Sequence, residues 1–184
     1  MNLEETSKNF DEALQEFVEK EKYILKNNLS ERCITHKLAN YLEEKFFGFD
    51  VDCEYNRKYN LVEMANDIKR VIISEEEMIE IAKDRINEND TYSVYPDIIV
   101  HKRESNNNHL IIEIKKSNNK NSSDKKFDKK KLERFTDKVD NDLICEYKLG
   151  IYLEIGVEEK TGNESKCYFQ NGEETLKNML KNWE

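Results

Sequence analysis

Proline and glycine are scarce in this chain of 184 residues, which has one proline and five glycines. No glycine-rich phosphate loop is present. The four cysteines, Cys33, Cys53, Cys145 and Cys167, are far apart and form no CxxC pair. That argues against a zinc site and for reduced thiols in a cytoplasmic chain. His36 has no second His or Cys at ligand spacing, so no transition-metal site is expected there. His101 and His109 read as the ends of a loop. No apolar run reaches membrane-spanning length, and the acidic opening MNLEETSKNFDEAL lacks the apolar core of a secretory signal. A membrane partner is therefore not expected. There are no internal repeats.

The length suits one domain, 1–184, long enough to bury a real core. Apolar residues make up 37 % of the chain and charged residues 38 %, but the apolar ones are clustered and periodic, as in a folded protein. The net charge of −9 argues against a general nucleic-acid binder, because phosphate contacts need Lys and Arg. Its distribution is uneven. Residues 115–131 hold eight lysines and two aspartates, a local +6, which leaves −15 for the rest. Two readings fit: a basic strip for DNA, including Lys116, Lys120 and Lys131, or a solvated loop leading into a lysine-rich helix start.

Periodicity predicts a helix over 8–26, with Phe10, Leu14 and Phe17 on its apolar face. Ser30 is placed to cap a second helix running to Phe47 and stopped by Gly48, with Ile34, Leu38 and Leu42 inward. Glu31 lies one turn before Ile34 on that stripe. An acid there either approaches a site or simply favours a helix N-terminus. Arg32, His36 and Asn40 form a separate polar stripe, for a phosphate or base, or for solvent. Residues 49–56 read as a first strand. Residues 57–93 look like a helical insertion, with a helix expected over 75–87. A helix from about Asp124 to Cys145 should turn Leu132 and Phe135 inward. Strands are expected at 147–157 and 165–170, and a closing helix at 172–183 carries Leu176, Leu180 and Trp183.

The chemistry concentrates in YPDIIVHKRESNNNHLIIEIKKS, residues 95–117. Two short β-branched runs, 96–102 and 109–115, flank a polar loop, which implies an antiparallel hairpin. With the loop centred near Ser105, Asp97 falls opposite Glu113, their Cβ atoms roughly 5 Å apart. Lys115 shares the face of Glu113 because side chains alternate along a strand. Facing carboxylates repel and raise each other's pKa. A bound Mg²⁺, which prefers hard oxygen ligands, resolves the conflict. The alternative is a surface hairpin with solvated charges.

Pro96-Asp97, fifteen residues and then Glu113-Ile114-Lys115 resembles the PD-(D/E)xK motif of the restriction-endonuclease-like nuclease superfamily. The resemblance spans about residues 29–157. Within it, SERCITHKLANYLEE followed by VDCEYNR is also similar to a subgroup of that superfamily. It implies an α/β three-layer restriction-endonuclease-like core, with a mixed central sheet and helices on both faces. It implies that Asp97, Glu113 and the Ile114 carbonyl ligate Mg²⁺ (or Mn²⁺), with Glu31 as an additional ligand. It implies that Lys115 positions or activates the attacking water. Lys131 is the further polar residue that such proteins place on the following helix.

The expectation is thus a Mg²⁺-dependent deoxyribonuclease, with Lys116, Lys120, Lys131 and His36 towards DNA. The rival is a catalytically inactive protein of the same fold that binds a protein partner, or a homodimer, through its acidic surface. A subunit of a larger complex is the third possibility. No separate DNA-recognition module is visible.

Overall fold

The computed structural model of the chain describes residues 1–55, 95–138 and 146–180, and the backbone of four short strands between 57 and 93. Helix α1 spans Leu3–Lys20, α2 Lys22–Lys26, α3 Glu31–Lys45 and α4 Ser122–Thr136. The strands are β1 Asp50–Cys53, β2 Arg57–Asn60, β3 Ala65–Ile68, β4 Arg70–Ile72, β5 Thr91–Ser93, β6 Ile98–His101, β7 Asn108–Lys116, β8 Leu149–Ile155, β9 Glu164–Gln170 and β10 Glu173–Thr175. The fold is α/β, built on a six-stranded mixed sheet of order β1-β6-β7-β8-β9-β10.

Among the described strands of this sheet, β7 and β8 alone pair in parallel; their neighbours are antiparallel. Parallel strands need a crossover, and α4 lies in the connection between them. Both central strands are buried on both faces, which is why LIIEI and LGIYLEI read as nearly unbroken apolar runs.

Alternation along β7 divides the core in two. Leu110, Ile112 and Ile114 join Phe10, Leu14 and Phe17 of α1 and Ile34, Leu38 and Leu42 of α3. Ile111 turns the other way, to Phe127, Leu132 and Phe135 of α4 with Tyr147, Tyr152 and Phe169. Glu113 and Lys115 share the parity of Ile111, so they enter the layer under α4.

Local signals explain most boundaries. Asn2 caps α1 by accepting from the Glu5 N–H at 2.8 Å, which starts that helix five residues before the expected position 8. Ser30 caps α3, accepting from the Cys33 N–H at 3.2 Å. Asn121 caps α4, accepting from the Ser123 and Asp124 N–H groups at 3.1 and 3.2 Å. α4 packs closely on β8 at Gly150, where an added Cβ would stand 3.1 Å from Thr136 Cγ2.

Two expectations need revision. The C-terminal segment does not form a helix over its described part. Asn171 and Gly172, both at positive φ (53° and 78°), turn the chain into the β9–β10 hairpin, and a short 3-10 turn, Lys177–Met179, follows. Asn-Gly is a strong hairpin signal that outweighs the helical spacing of Leu176 and Leu180. The described parts of 57–93 are strands, pairing as β2 with β3 and β4 with β5. The helix expected over 75–87 lies outside the described residues.

Candidate functional site

The hairpin register places Ile98 opposite Ile112 and Ile99 opposite Ile111. Continuing that ladder by one residue brings Asp97 beside Glu113. Asp97 precedes β6, and its Oδ2 accepts from the Ile114 N–H at 2.7 Å. The carboxylate is thereby fastened to the backbone of the partner strand.

Around these residues lies a chain of ion pairs. Glu113 Oε2 is 2.9 Å from Lys131 Nζ, and that ammonium is 2.8 Å from Asp128 Oδ1. Asp128 Oδ2 is 2.8 Å from Lys115 Nζ, which also lies 3.3 Å from Glu31 Oε1. Lys115 further donates to the Ile114 carbonyl at 3.2 Å. Glu113, Asp128 and Lys131 are buried, at 1 %, 5 % and 7 % exposure. Among the described residues, four carboxyl groups (Glu31, Asp97, Glu113, Asp128) thus meet two ammoniums (Lys115, Lys131), an excess of two carboxyl groups. Buried charge of one sign is costly unless neutralised or paired.

The titration behaviour follows from that imbalance. Burial raises the Asp97 pKa to about 6, although the Ile114 N–H and the charges of Lys115 and Lys131 act in the opposite sense. Burial also raises Glu113, reinforced by Asp128 and Asp97 and opposed by Lys131. Burial alone would lower both lysines. Asp128, Asp97 and Glu31 hold Lys115 above its ordinary value instead, and Glu113 and Asp128 do the same for Lys131. Lys115 is therefore fixed as an ammonium, suited to orienting a water or meeting negative charge and unsuited to acting as a free base.

Asp97, Glu113, Lys115, Ile114 and Glu31 are brought together. The residues expected towards nucleic acid are dispersed. Lys131 is buried in the ion-pair chain. Lys116 is half-buried and donates to Asn28 Oδ1 at 2.9 Å and the Leu29 carbonyl at 3.2 Å, which ties β7 to the turn before α3. Lys120 and His36 are exposed. Along the lysine-rich strip, Lys125 pairs with Glu154, Lys129 with Glu174 and Lys130 with Glu133. Much of the local positive charge is consequently answered within the chain.

Two participants escaped sequence reasoning. Asp128 lies three residues before Lys131, the spacing of an ordinary surface ion pair on a helix. Its signal was its place one turn before Leu132, on the inward stripe of α4. Tyr152 sits in register beside Glu113 on β8, and its buried hydroxyl has no hydrogen-bond partner among the described residues. Glu113 Oε1 is likewise buried without a partner among them.

Among the described residues, no three His, Cys, Asp or Glu side chains stand close enough together to hold a metal ion. Mg²⁺ needs fewer, since one or two carboxylates suffice when water and substrate oxygens complete its shell. The donors here fit that chemistry: the carboxylate of Asp97, the carboxylate of Glu113 with its Oε1 unpartnered among the described residues, and the Ile114 carbonyl. The site lies at the carboxyl end of β7, the central strand whose two neighbours run in opposite senses. Among the described residues, no helix is long and apolar enough to cross a membrane.

Compared with family models, with curated proteins and with solved structures, the chain matches none.

Proposed function

We propose that this chain is a Mg²⁺-dependent nuclease that hydrolyses DNA phosphodiester bonds, on a three-layer restriction-endonuclease-like core. One observation carries the reading: among the described residues a partly buried cluster holds two more carboxyl groups than ammoniums, and the buried Glu113 Oε1 within it has no partner among them. A divalent ion would neutralise that excess. Asp97 and Glu113 would hold it, with the Ile114 carbonyl beside them. When bound, such an ion stabilises charge on a phosphoryl oxygen and acidifies a water.

The remaining work falls to the chain's own groups. Lys115, kept protonated by Asp128 and Glu31, presents an ammonium to the attacking water or to developing phosphorane charge. Asp97 is anchored on the Ile114 N–H, so its free oxygen is pre-positioned at low entropic cost. Glu31 holds Lys115 from the first turn of α3. Lys120 and His36 offer exposed contacts to the phosphate backbone.

The test uses labelled duplex and single-stranded DNA with Mg²⁺, Mn²⁺ or EDTA. Cleavage should require the ion and should be lost in Asp97→Ala and Lys115→Ala. Cleavage that persists in both variants would overturn the assignment.

A second reading, a non-catalytic protein of this fold that binds a protein partner, is favoured by the paired lysines of the strip and by the net charge of −9. Both leave little positive surface for DNA. Under that reading no ion-dependent cleavage appears with any DNA.

A further inference from the structure

Two of the oxygens proposed above as ion ligands already carry an ammonium. Lys131 covers Glu113 Oε2 at 2.9 Å, and Lys115 covers the Ile114 carbonyl at 3.2 Å. Both lysines have a second seat on one carboxylate, Asp128, at 2.8 Å each. Lys131 projects from the helix and Glu113 from the sheet, so their contact is tertiary. Its contact with Asp128 lies within one turn of α4 and survives any small shift of the helix against the sheet.

We propose that Lys131 is the resident counter-cation of Glu113, that a divalent ion binds by displacing it, and that Asp128 is the seat that retains the displaced ammonium. This rests on the metal-site reading above and concerns the chain's own lysine. Glu113 is a buried carboxylate with one oxygen paired and, among the described residues, one unpaired. An ion that takes both oxygens must drive Lys131 off Oε2, since two cations at one carboxylate repel strongly in a dry site. Asp128 makes the displacement feasible, because Lys131 needs to give up only one of its two partners. Lys131 is thus a positioning residue that sets ion affinity, and Asp128 is its receiver.

The proposal predicts opposite signs for neighbouring substitutions. Mn²⁺ binding is measured by calorimetry on the whole chain. Lys131→Met removes the competitor and should tighten binding by at least about tenfold. Asp128→Asn removes the receiver and should weaken it. The double variant should bind at least as tightly as the wild type, because without the lysine no receiver is required. Should Lys131→Met fail to fold, side-chain NMR of the wild type decides: the Lys131 ammonium resonance should move on Mg²⁺ addition and stay protected from exchange.

Unchanged or weaker binding by a folded Lys131→Met, or a Lys131 resonance indifferent to Mg²⁺, overturns the displacement while leaving the metal site standing. A double variant as weak as Asp128→Asn makes Asp128 a direct ligand and removes its role as receiver. No Mn²⁺ binding by the wild type or any variant overturns both this inference and the reading beneath it.

Discussion

The two faces of the central sheet are made from alternate residues of the same strands, yet they are organised by different physics. The face under α1 and α3 is closed by a broad apolar cluster from Leu3 to Tyr168. The face under α4 has a smaller apolar cluster, and beyond it a layer of buried charge: Glu113, Lys115, Asp128 and Lys131. Apolar burial gains of order 25 cal/mol per Å² without directional demands. A buried ion pair is a weak source of stability, because desolvation offsets most of its attraction. Four such groups between α4 and the sheet therefore add little net stability for the space they occupy. The first face holds the fold, and the second is where chemistry can be housed.

The comparison breaks most severely at Glu113. Glu113→Gln keeps shape and removes one charge from the α4 side. Ion-dependent DNA cleavage should fall by about a thousandfold, equivalent to roughly 4 kcal/mol of transition-state stabilisation. The melting temperature should change little, because Lys131 keeps Asp128. Chelation of the wild type should reproduce the loss of cleavage. A Glu113→Gln protein that cleaves normally would mean the charged layer is structural.

The converse substitution lies on the apolar face. Phe17 is fully buried between α1 and α3, with its ring 6.0 Å from that of Tyr41. Phe17→Ala should lower unfolding free energy by about 3–5 kcal/mol in urea titrations. At temperatures where the variant remains folded, Mn²⁺ affinity should match the wild type. A large change in affinity would mean that the two layers are coupled through the sheet.

How much of this could be read in advance follows the same division. The hairpin register was legible, because two β-branched runs flank one polar loop, and centring that loop near Ser105 sets Asp97 opposite Glu113. Ser30 was legible as a cap because capping is local. Asp128 was not, because a charged i, i+3 pair on a helix reads as solvent-facing until the orientation of the helix is known. Its likeness to Glu31, each an acid one turn before an inward apolar residue, was the available clue. The β9–β10 hairpin was missed because helical spacing was weighed above the Asn171-Gly172 turn.

A third test uses a titratable group buried in the apolar face, His109. His109 Nε2 lies 2.6 Å from Thr6 Oγ1, and that hydroxyl donates to the Asn2 carbonyl at 2.7 Å. Having spent its proton there, Thr6 must accept from the imidazole, so Nε2 carries the hydrogen. Nδ1 is left buried and without a partner among the described residues, and the ring stacks on Phe49 with centroids 4.7 Å apart. Protonation at Nδ1 would bury an unsatisfied charge. Burial, with Lys148 and the N-terminus, lowers the pKa to about 4. The folded state thus binds fewer protons than the unfolded one. Stability from this group is complete above the unfolded value near 6.5 and is lost as pH falls towards 4, a total of roughly 3 kcal/mol. His109→Leu should flatten the pH dependence of unfolding between 6.5 and 4.

The smallest effect is expected where charge is paired on the surface. Arg32 Nε donates to Glu54 Oε1 at 2.8 Å, but the two side chains are 83 % and 47 % exposed. That distance matches the buried Lys131–Glu113 contact within 0.1 Å, so geometry alone does not separate the two pairs. Solvent does. An exposed pair exchanges hydration for attraction at almost no net gain and is screened by salt. Arg32→Gln should cost no more than about 1 kcal/mol in urea unfolding, and less at high ionic strength. Lys131→Met leaves a carboxylate buried without its partner and should cost about 3–5 kcal/mol. Adding saturating Mn²⁺ should recover stability in Lys131→Met, because the ion replaces the missing ammonium, and should leave the Arg32→Gln difference unaltered. If the ion shifts both variants equally, its binding is not specific to the layer under α4.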